Sequence, residues 1–154
     1  MEPDPKIKYV IGIDPGKSTG FAVYSRVSKK IEEIKTLTFW SCYAEMHEWT
    51  PEVTLVIIEC PIKNALYARQ EAVSNQGSAR RGNAMMAHAA SNAHEASLLA
   101  DGIEGLGFQV KRVRPTRRNF EKAADDVAFV QRTTGFMKTT NPHTRDAIML
   151  CFGS

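Results

Sequence analysis

Runs of apolar residues divide much of the chain into strand-like segments. Residues 8–14 and 20–26 are strongly apolar, and 31–38 follow as a weaker third run, with turn residues between them. This pattern predicts an antiparallel meander of three strands. Residues 53–59 form a nearly continuous apolar run, which is typical of a strand buried on both faces of a parallel sheet. The alternating run over 108–114 predicts the last strand.

The middle of the chain carries helical signals. The spacing of Trp40, Tyr43 and Ala44 predicts a helix over 40–49, and its aromatic side chains are expected to belong to the core rather than to a ligand site. An alanine-rich segment predicts the longest helix over 84–106, because alanine has the highest helix propensity.

A long loop and two further helices complete the expected order. Residues 62–83 are polar and basic and contain Gly and Ser, so a long loop is predicted there, and loops of this length usually have a function. Residues 117–132 are expected to be helical. The last helix is predicted to begin at Asn141 and Pro142, an N-cap followed by proline at the first helical position, and to end near residue 152.

Two of the predicted strands end in an acid. Asp14 closes the first strand before Pro15 and Gly16, and Glu59 closes the apolar run over 53–59. Asn or Ser would serve the turn after Asp14 as well as an acid does, so the carboxylate is a candidate for chemistry. A right-handed crossover makes these two strands parallel neighbours, about 5 Å apart. Asp14 and Glu59 are therefore expected to face each other at one rim of the sheet.

Two converging carboxylates repel each other unless a cation lies between them. Oxygen ligands suit a hard cation such as Mg²⁺ or Mn²⁺. His143 and Asp146 stand three residues apart in the last helix and hence on one face, where they are candidates for further ligands. Each also has a simpler interpretation: Asp146 complements the helix dipole, and His143 is a surface residue of the first turn.

Charge and cysteine content narrow the classes of function. The chain has 154 residues, enough for one domain with a core, and a net charge of +3. Residues 109–118 carry five basic side chains and no acid, and residues 60–82 carry Lys63 and three arginines against one acid. Each basic run is either a solvated face or a surface for a polyanion, and two runs beside a carboxylate site favour the polyanion.

The three cysteines, Cys42, Cys60 and Cys151, have no zinc-binding spacing and are expected to be small buried hydrophobic residues in a reducing compartment. The polar N-terminus resembles no signal peptide, and no apolar run approaches the length of a membrane span. An intracellular protein is therefore expected.

Three features of the chain resemble the RuvC family of Holliday junction resolvases. They are the motif Ile-Gly-Ile-Asp-Pro-Gly-Lys-Ser-Thr-Gly at 11–20, the apolar strand ending in Glu59, and His-Thr-Arg-Asp-Ala at 143–147. The resemblance spans nearly the whole chain. It implies a cytoplasmic protein of a bacterial cell or of a phage-infected host. It implies an α/β fold of the RNase H-like type in a single domain over 1–154, with a five-stranded mixed sheet in the order 3-2-1-4-5 flanked by helices. Many family members carry an acid where this chain has His143, which leaves the metal preference open.

The resemblance also implies an activity. It implies a metal-dependent endodeoxyribonuclease that resolves four-way DNA junctions by paired symmetric nicks, leaving a 5′-phosphate and a 3′-hydroxyl. Two Mg²⁺ ions, or Mn²⁺ in their place, would clamp the scissile phosphate. Asp14 would bridge both ions, Glu59 would hold one, and Asp146 and His143 the other. Family members act as homodimers, and the helix over 84–100 is the candidate interface; its alternative role is packing on its own sheet.

Further residues are predicted to contact DNA. Tyr67 is a candidate for stacking on an unpaired base, with ordinary loop packing as its alternative. The basic candidates for phosphate contacts are Lys17, Arg69, Arg80, Arg81, Arg112, Arg114, Arg117 and Arg118.

Other interpretations compete with a junction resolvase. A P-loop is rejected, because only three residues separate Gly12 from Gly16-Lys17-Ser18, where the pattern needs four. An actin-like sugar kinase needs a second domain, for which the chain is too short. A related nuclease acting on another branched DNA or on an RNA–DNA hybrid stays open, as does an inactive nucleic-acid-binding homologue.

Overall fold

A five-stranded mixed sheet forms the centre of the protein. The computed structural model describes residues 4–61, 79–116 and 118–154, and for 79–90 it describes the backbone alone. The strands are β1 (Tyr9–Asp14), β2 (Thr19–Ser25), β3 (Lys30–Leu37), β4 (Thr54–Glu59) and β5 (Gln109–Val113). Their order is β3-β2-β1-β4-β5. The β1–β2 and β2–β3 pairs are antiparallel, and the β1–β4 and β4–β5 pairs are parallel. The predicted α/β class and strand order are confirmed.

The described residues also form four α-helices around this sheet. They are α1 (Phe39–Glu45), α2 (Ala79–Gly105), α3 (Ala123–Thr134) and α4 (Pro142–Cys151). Two short 3-10 turns, Met46–Glu48 and Pro51–Val53, connect α1 to β4.

Each face of the sheet has its own apolar core. Ile11 and Ile13 of β1 point to one face, where Leu99 and Ile103 of α2 are packed. Val10 of β1 points to the opposite face and packs with Ala147 and Ile148 of α4, following the alternation of side chains along a strand. The C-terminal half of α2 therefore packs on its own sheet, as the simpler interpretation of that helix predicts.

The predicted core stripe of the first helix is wrong at Trp40 and Ala44 and correct at Tyr43. Trp40 is 74% exposed, and Ala44 is exposed as well. The buried residues are Cys42 and Met46, four positions apart, and Tyr43 packs beside them only partly buried. The helix has only seven residues, so one turn of spacing could not identify the side that faces the sheet.

Two helix boundaries also differ from the prediction. Helix α2 begins at Ala79 rather than at residue 84, so residues 79–83 of the predicted loop are helical, and 62–78 lie outside the described residues. Helix α3 begins at Ala123 rather than at 117, because Lys122 has an extended backbone (φ −119°, ψ 138°).

The cysteines are buried, as predicted. Cys42, Cys60 and Cys151 are all free thiols, and burial raises the pKa of Cys42 and of Cys151 to about 12. These groups stay protonated and are poor nucleophiles at neutral pH. Within the described parts of the chain, no helix combines the length and the apolar character that crossing a membrane requires.

Candidate active site

Asp14 and Glu59 end neighbouring parallel strands. Ile13 is paired with Ile58 in the β1–β4 ladder, and the two acids are the next residue of each strand. Because side chains alternate, the two acids belong to the same face as Val10, which is the face that α4 covers. The predicted parallel pairing of these strands is confirmed, and it brings both acids to one rim of the sheet.

Helix α4 begins at the same rim with a complete cap. The Asn141 side chain accepts a hydrogen bond from the Thr144 backbone N–H (2.9 Å), and the Thr144 hydroxyl accepts one from the Asn141 N–H (2.9 Å). The Asn141 amide also donates to the Thr36 hydroxyl of β3 (2.8 Å). The predicted cap is therefore confirmed, and it ties the first turn of α4, which carries His143, to the edge of the sheet.

Two glycines let α4 approach the strands closely. A Cβ atom on Gly12 would overlap the carbonyl oxygen of Ala147, and a Cβ atom on Gly20 would overlap that of His143. Gly20 is paired with Asp14 in the β1–β2 ladder. The backbone of His143 thus lies over the residue beside Asp14, and this close approach explains the last glycine of the sequence motif, Gly20.

His143 and Asp14 are direct neighbours. His143 Nδ1 lies 3.4 Å from Asp14 Oδ2, a long hydrogen bond. The His143 side chain is 47% exposed, whereas that of Asp14 is 12% exposed. Burial raises the pKa of the Asp14 carboxyl to about 6, the negative charge of Asp146 adds to the rise, and the bond to His143 opposes it. At neutral pH Asp14 is therefore ionised in surroundings that disfavour its negative charge, and a cation bound beside it would stabilise that charge.

Asp146 belongs to a chain of ion pairs. Arg118 Nη2 donates to Asp146 Oδ1 (2.7 Å), and Arg118 Nε donates to Asp126 Oδ1 (2.7 Å). Arg145, one residue before Asp146, donates from Nε to Asp126 Oδ2 (2.6 Å) and is nearly buried. Burial alone would raise the pKa of Asp126, but the bonds from the two arginines outweigh it and hold that pKa below its usual value.

A cleft of about 420 Å³ opens between these groups. Glu59, Asp146, Asp126 and Arg118 line it, together with Pro15 from the turn after Asp14. Acids from β4 and α4 thus line the same cleft. Its residues also include Asn92, Ala96, Pro61, Pro115, Thr116, Asn119 and Pro142.

The donor set suits a hard divalent cation in its chemistry. Asp14, Glu59 and Asp146 offer carboxylate oxygens, and His143 offers an imidazole nitrogen. Among the side chains that the structure describes, those of residues 4–61, 91–116 and 118–154, however, no three of His, Cys, Asp or Glu are already grouped so that they could hold an ion. Of the four candidate ligands, Asp146 forms an ion pair with Arg118 instead.

The residues predicted to contact DNA differ in their exposure and in their ion pairs, and some lie outside the described residues. Lys17 is exposed in the turn that follows Asp14. Arg112 and Arg114 are exposed at the end of β5, where Arg112 forms ion pairs with Asp101 and Glu104 of α2. Arg118 is only 19% exposed and faces acids. The predicted contacts Tyr67, Arg69 and Arg117, and the side chains of Arg80 and Arg81, lie outside the described residues.

Sequence reasoning missed Asp126 and Arg145. Asp126 follows Asp125 in the first turn of α3, where an acid is ordinarily explained by the helix dipole. The available signal was Arg145 itself. Arg145 lies two residues after His143 in a helix that packs on the sheet. A nearly buried arginine requires a carboxylate partner, which here is Asp126.

No protein-family model matches the chain, and no curated protein matches it either. The function is therefore inferred from the residues and the geometry of this site.

Proposed function

We propose that the protein is a metal-dependent endodeoxyribonuclease of the RuvC type, with an RNase H-like fold, that resolves four-way DNA junctions. One observation carries the proposal. Asp14, Glu59, His143 and Asp146 come from β1, β4 and α4, which are distant in sequence, and the sheet register and the approach of α4 bring them to one rim. The strand order β3-β2-β1-β4-β5 is consistent with it.

The side chains at the rim have separate tasks in this proposal. Asp14, Glu59, Asp146 and His143 would hold the cation, Mg²⁺ or Mn²⁺. When bound, it lowers the pKa of a water molecule and offsets the charge on the leaving oxygen. His143 contacts Asp14 Oδ2 and orients that carboxylate. Asp14 is deprotonated above about pH 6, and its burial keeps bulk water away from the carboxylate.

The surroundings of the cleft support a nucleic acid as substrate. Lys17 is exposed in the turn that follows Asp14, and Arg118 lines the cleft, so both are candidates for contacts with phosphate. Cleavage of two strands of like polarity at a junction requires two copies of the site. A homodimer is therefore part of the proposal, with residues 84–100 of α2 as the proposed interface.

A comparison of substrates tests the proposal. A four-way junction, a linear duplex of the same sequence and an RNA–DNA hybrid are incubated with the protein and either Mg²⁺ or Mn²⁺. Paired nicks in the junction, with little cutting of the duplex, are expected. Cleavage of the hybrid without cleavage of the junction would instead identify an RNase H-type nuclease.

One observation favours a second function, an inactive nucleic-acid-binding protein. The ion pair between Arg118 and Asp146 neutralises one of the proposed ligands. Tight binding of the junction with no cleavage under either metal would establish that alternative.

A further inference from the structure

Arg118 lies between two acids of the site. Its Nε and Nη2 atoms both reach Asp126, at 2.7 Å and 3.3 Å, while Nη2 also reaches Asp146 at 2.7 Å. The guanidinium is thus fixed by two bonds to Asp126 and reaches Asp146 through a single nitrogen. The bond to Asp146 can break while the pairing with Asp126 persists.

Asp126 is itself fixed in place. Arg145 donates to its second oxygen and is 5% exposed, and Arg145 also donates to Thr140. Arg145 belongs to α4, one residue from Asp146. The position of Arg118 relative to Asp146 is therefore set by the same helix that carries Asp146, through Asp126.

We propose that Arg118 is an ionic latch: in the absence of DNA it occupies Asp146 and suppresses cation binding there, with Asp126 as the residue that positions it. The inference rests on the proposed function and adds a regulation of its site. Arg118 holds a positive charge 2.7 Å from Asp146 Oδ1. A divalent cation that binds Asp146 must displace this guanidinium or bear its repulsion, so the ion pair lowers the affinity of Asp146 for the cation.

DNA would open the latch by the same chemistry. Arginine binds phosphate with the geometry that it uses for a carboxylate. Arg118 lines the cleft, so a phosphate entering it offers the guanidinium a new partner while Asp126 keeps its other side. Asp146 is then released to the cation when substrate is present, which couples metal loading to DNA binding.

The test measures Mn²⁺ affinity of the DNA-free protein by electron paramagnetic resonance. Arg118→Gln is expected to bind Mn²⁺ about 3- to 10-fold more tightly than wild type. Lys35→Gln removes another cation that is paired with two acids, Glu33 and Glu45, and serves as the matched control with less than a twofold change. Unchanged or weaker binding by Arg118→Gln overturns the latch.

Arg118→Lys separates the hydrogen bonds from the charge. Lysine keeps the charge but cannot span both carboxylates with a planar fork, so an intermediate gain is expected. Affinity equal to wild type would overturn the latch, and the lysine variant also serves if the glutamine variant does not fold. A four-way junction is expected to narrow the difference between wild type and Arg118→Gln; an unchanged difference contradicts opening by phosphate.

Failure of the latch is distinguishable from failure of the proposed function. If Asp14→Asn and Asp146→Asn leave Mn²⁺ binding unchanged, the site holds no cation and both proposals fail. If those variants lose binding and Arg118→Gln gains none, only the latch fails.

Discussion

The carbonyl of His143 lies where a side chain on Gly20 would be. Gly20 is paired with Asp14, so the contact between helix α4 and strand β2 sets the distance between His143 and Asp14. The active site is thus assembled by a backbone contact, and small residues in the strands matter as much as the acids.

Replacement of Gly20 tests this contact. Gly20→Ala would push α4 away from the sheet and is expected to lower the free energy of unfolding by about 2 to 3 kcal/mol. Gly105→Ala is the control, because a Cβ atom there meets nothing within 4 Å and its effect should be near zero. Denaturant titration measures both. Equal stability of the two variants would show that α4 does not depend on this contact.

Asp14→Asn tests the role of the first acid. Loss of one charged ligand is expected to reduce cleavage of a four-way junction at least 100-fold, while junction affinity stays within a few fold. Cleavage is followed on gels and affinity by a mobility shift in EDTA. A variant that still cuts the junction with Mg²⁺ would disprove the assignment of Asp14.

The same variant has a predicted effect on stability. The pKa of Asp14 is raised from 3.8 to about 6, so the folded protein binds this proton more tightly than the unfolded chain does. Stability from that proton is present below about pH 4 and is lost as the pH rises through 6. Without metal, Asp14→Asn should therefore exceed wild type in stability by on the order of 3 kcal/mol at pH 8 and equal it near pH 4. Thermal unfolding in EDTA across this range measures the difference; a larger gain at low pH would contradict it.

Asp126→Asn tests the ion-pair chain. The change leaves the nearly buried Arg145 without a carboxylate and is expected to cost about 3 kcal/mol. Asp125→Asn, the neighbouring exposed acid on the same helix, should change stability by less than 0.5 kcal/mol. Chemical denaturation compares the two, and an equal loss in both would mean that Arg145 does not need Asp126.

His143→Asp tests the metal preference. The His143 side chain is 47% exposed, so little loss of folding is expected when Mg²⁺ is present. An additional carboxylate beside Asp14 favours harder cations, and the ratio of Mg²⁺-supported to Mn²⁺-supported cleavage should rise. Rates measured with each metal give that ratio. A large loss of folding would identify His143 as a structural residue instead.

The sequence alone determined the strands and the acids that end two of them. An alternating or continuous apolar run identifies a strand from a few neighbouring residues alone. Asp14 and Glu59 follow the last apolar residues of two such runs. The start of α4 was also readable, because Asn141 and Pro142 act within one turn of their own helix.

Only the tertiary structure decided which charged groups meet. Helix α4 approaches the strands closely over Gly12 and Gly20. A chain of bonds also links residues from separate segments, running from Arg145 through Asp126 and Arg118 to Asp146. The side of α1 that faces the core was decided in the same way, by packing that its seven residues do not encode. Such contacts depend on distances between elements, and the spacing of residues along a chain does not contain those distances.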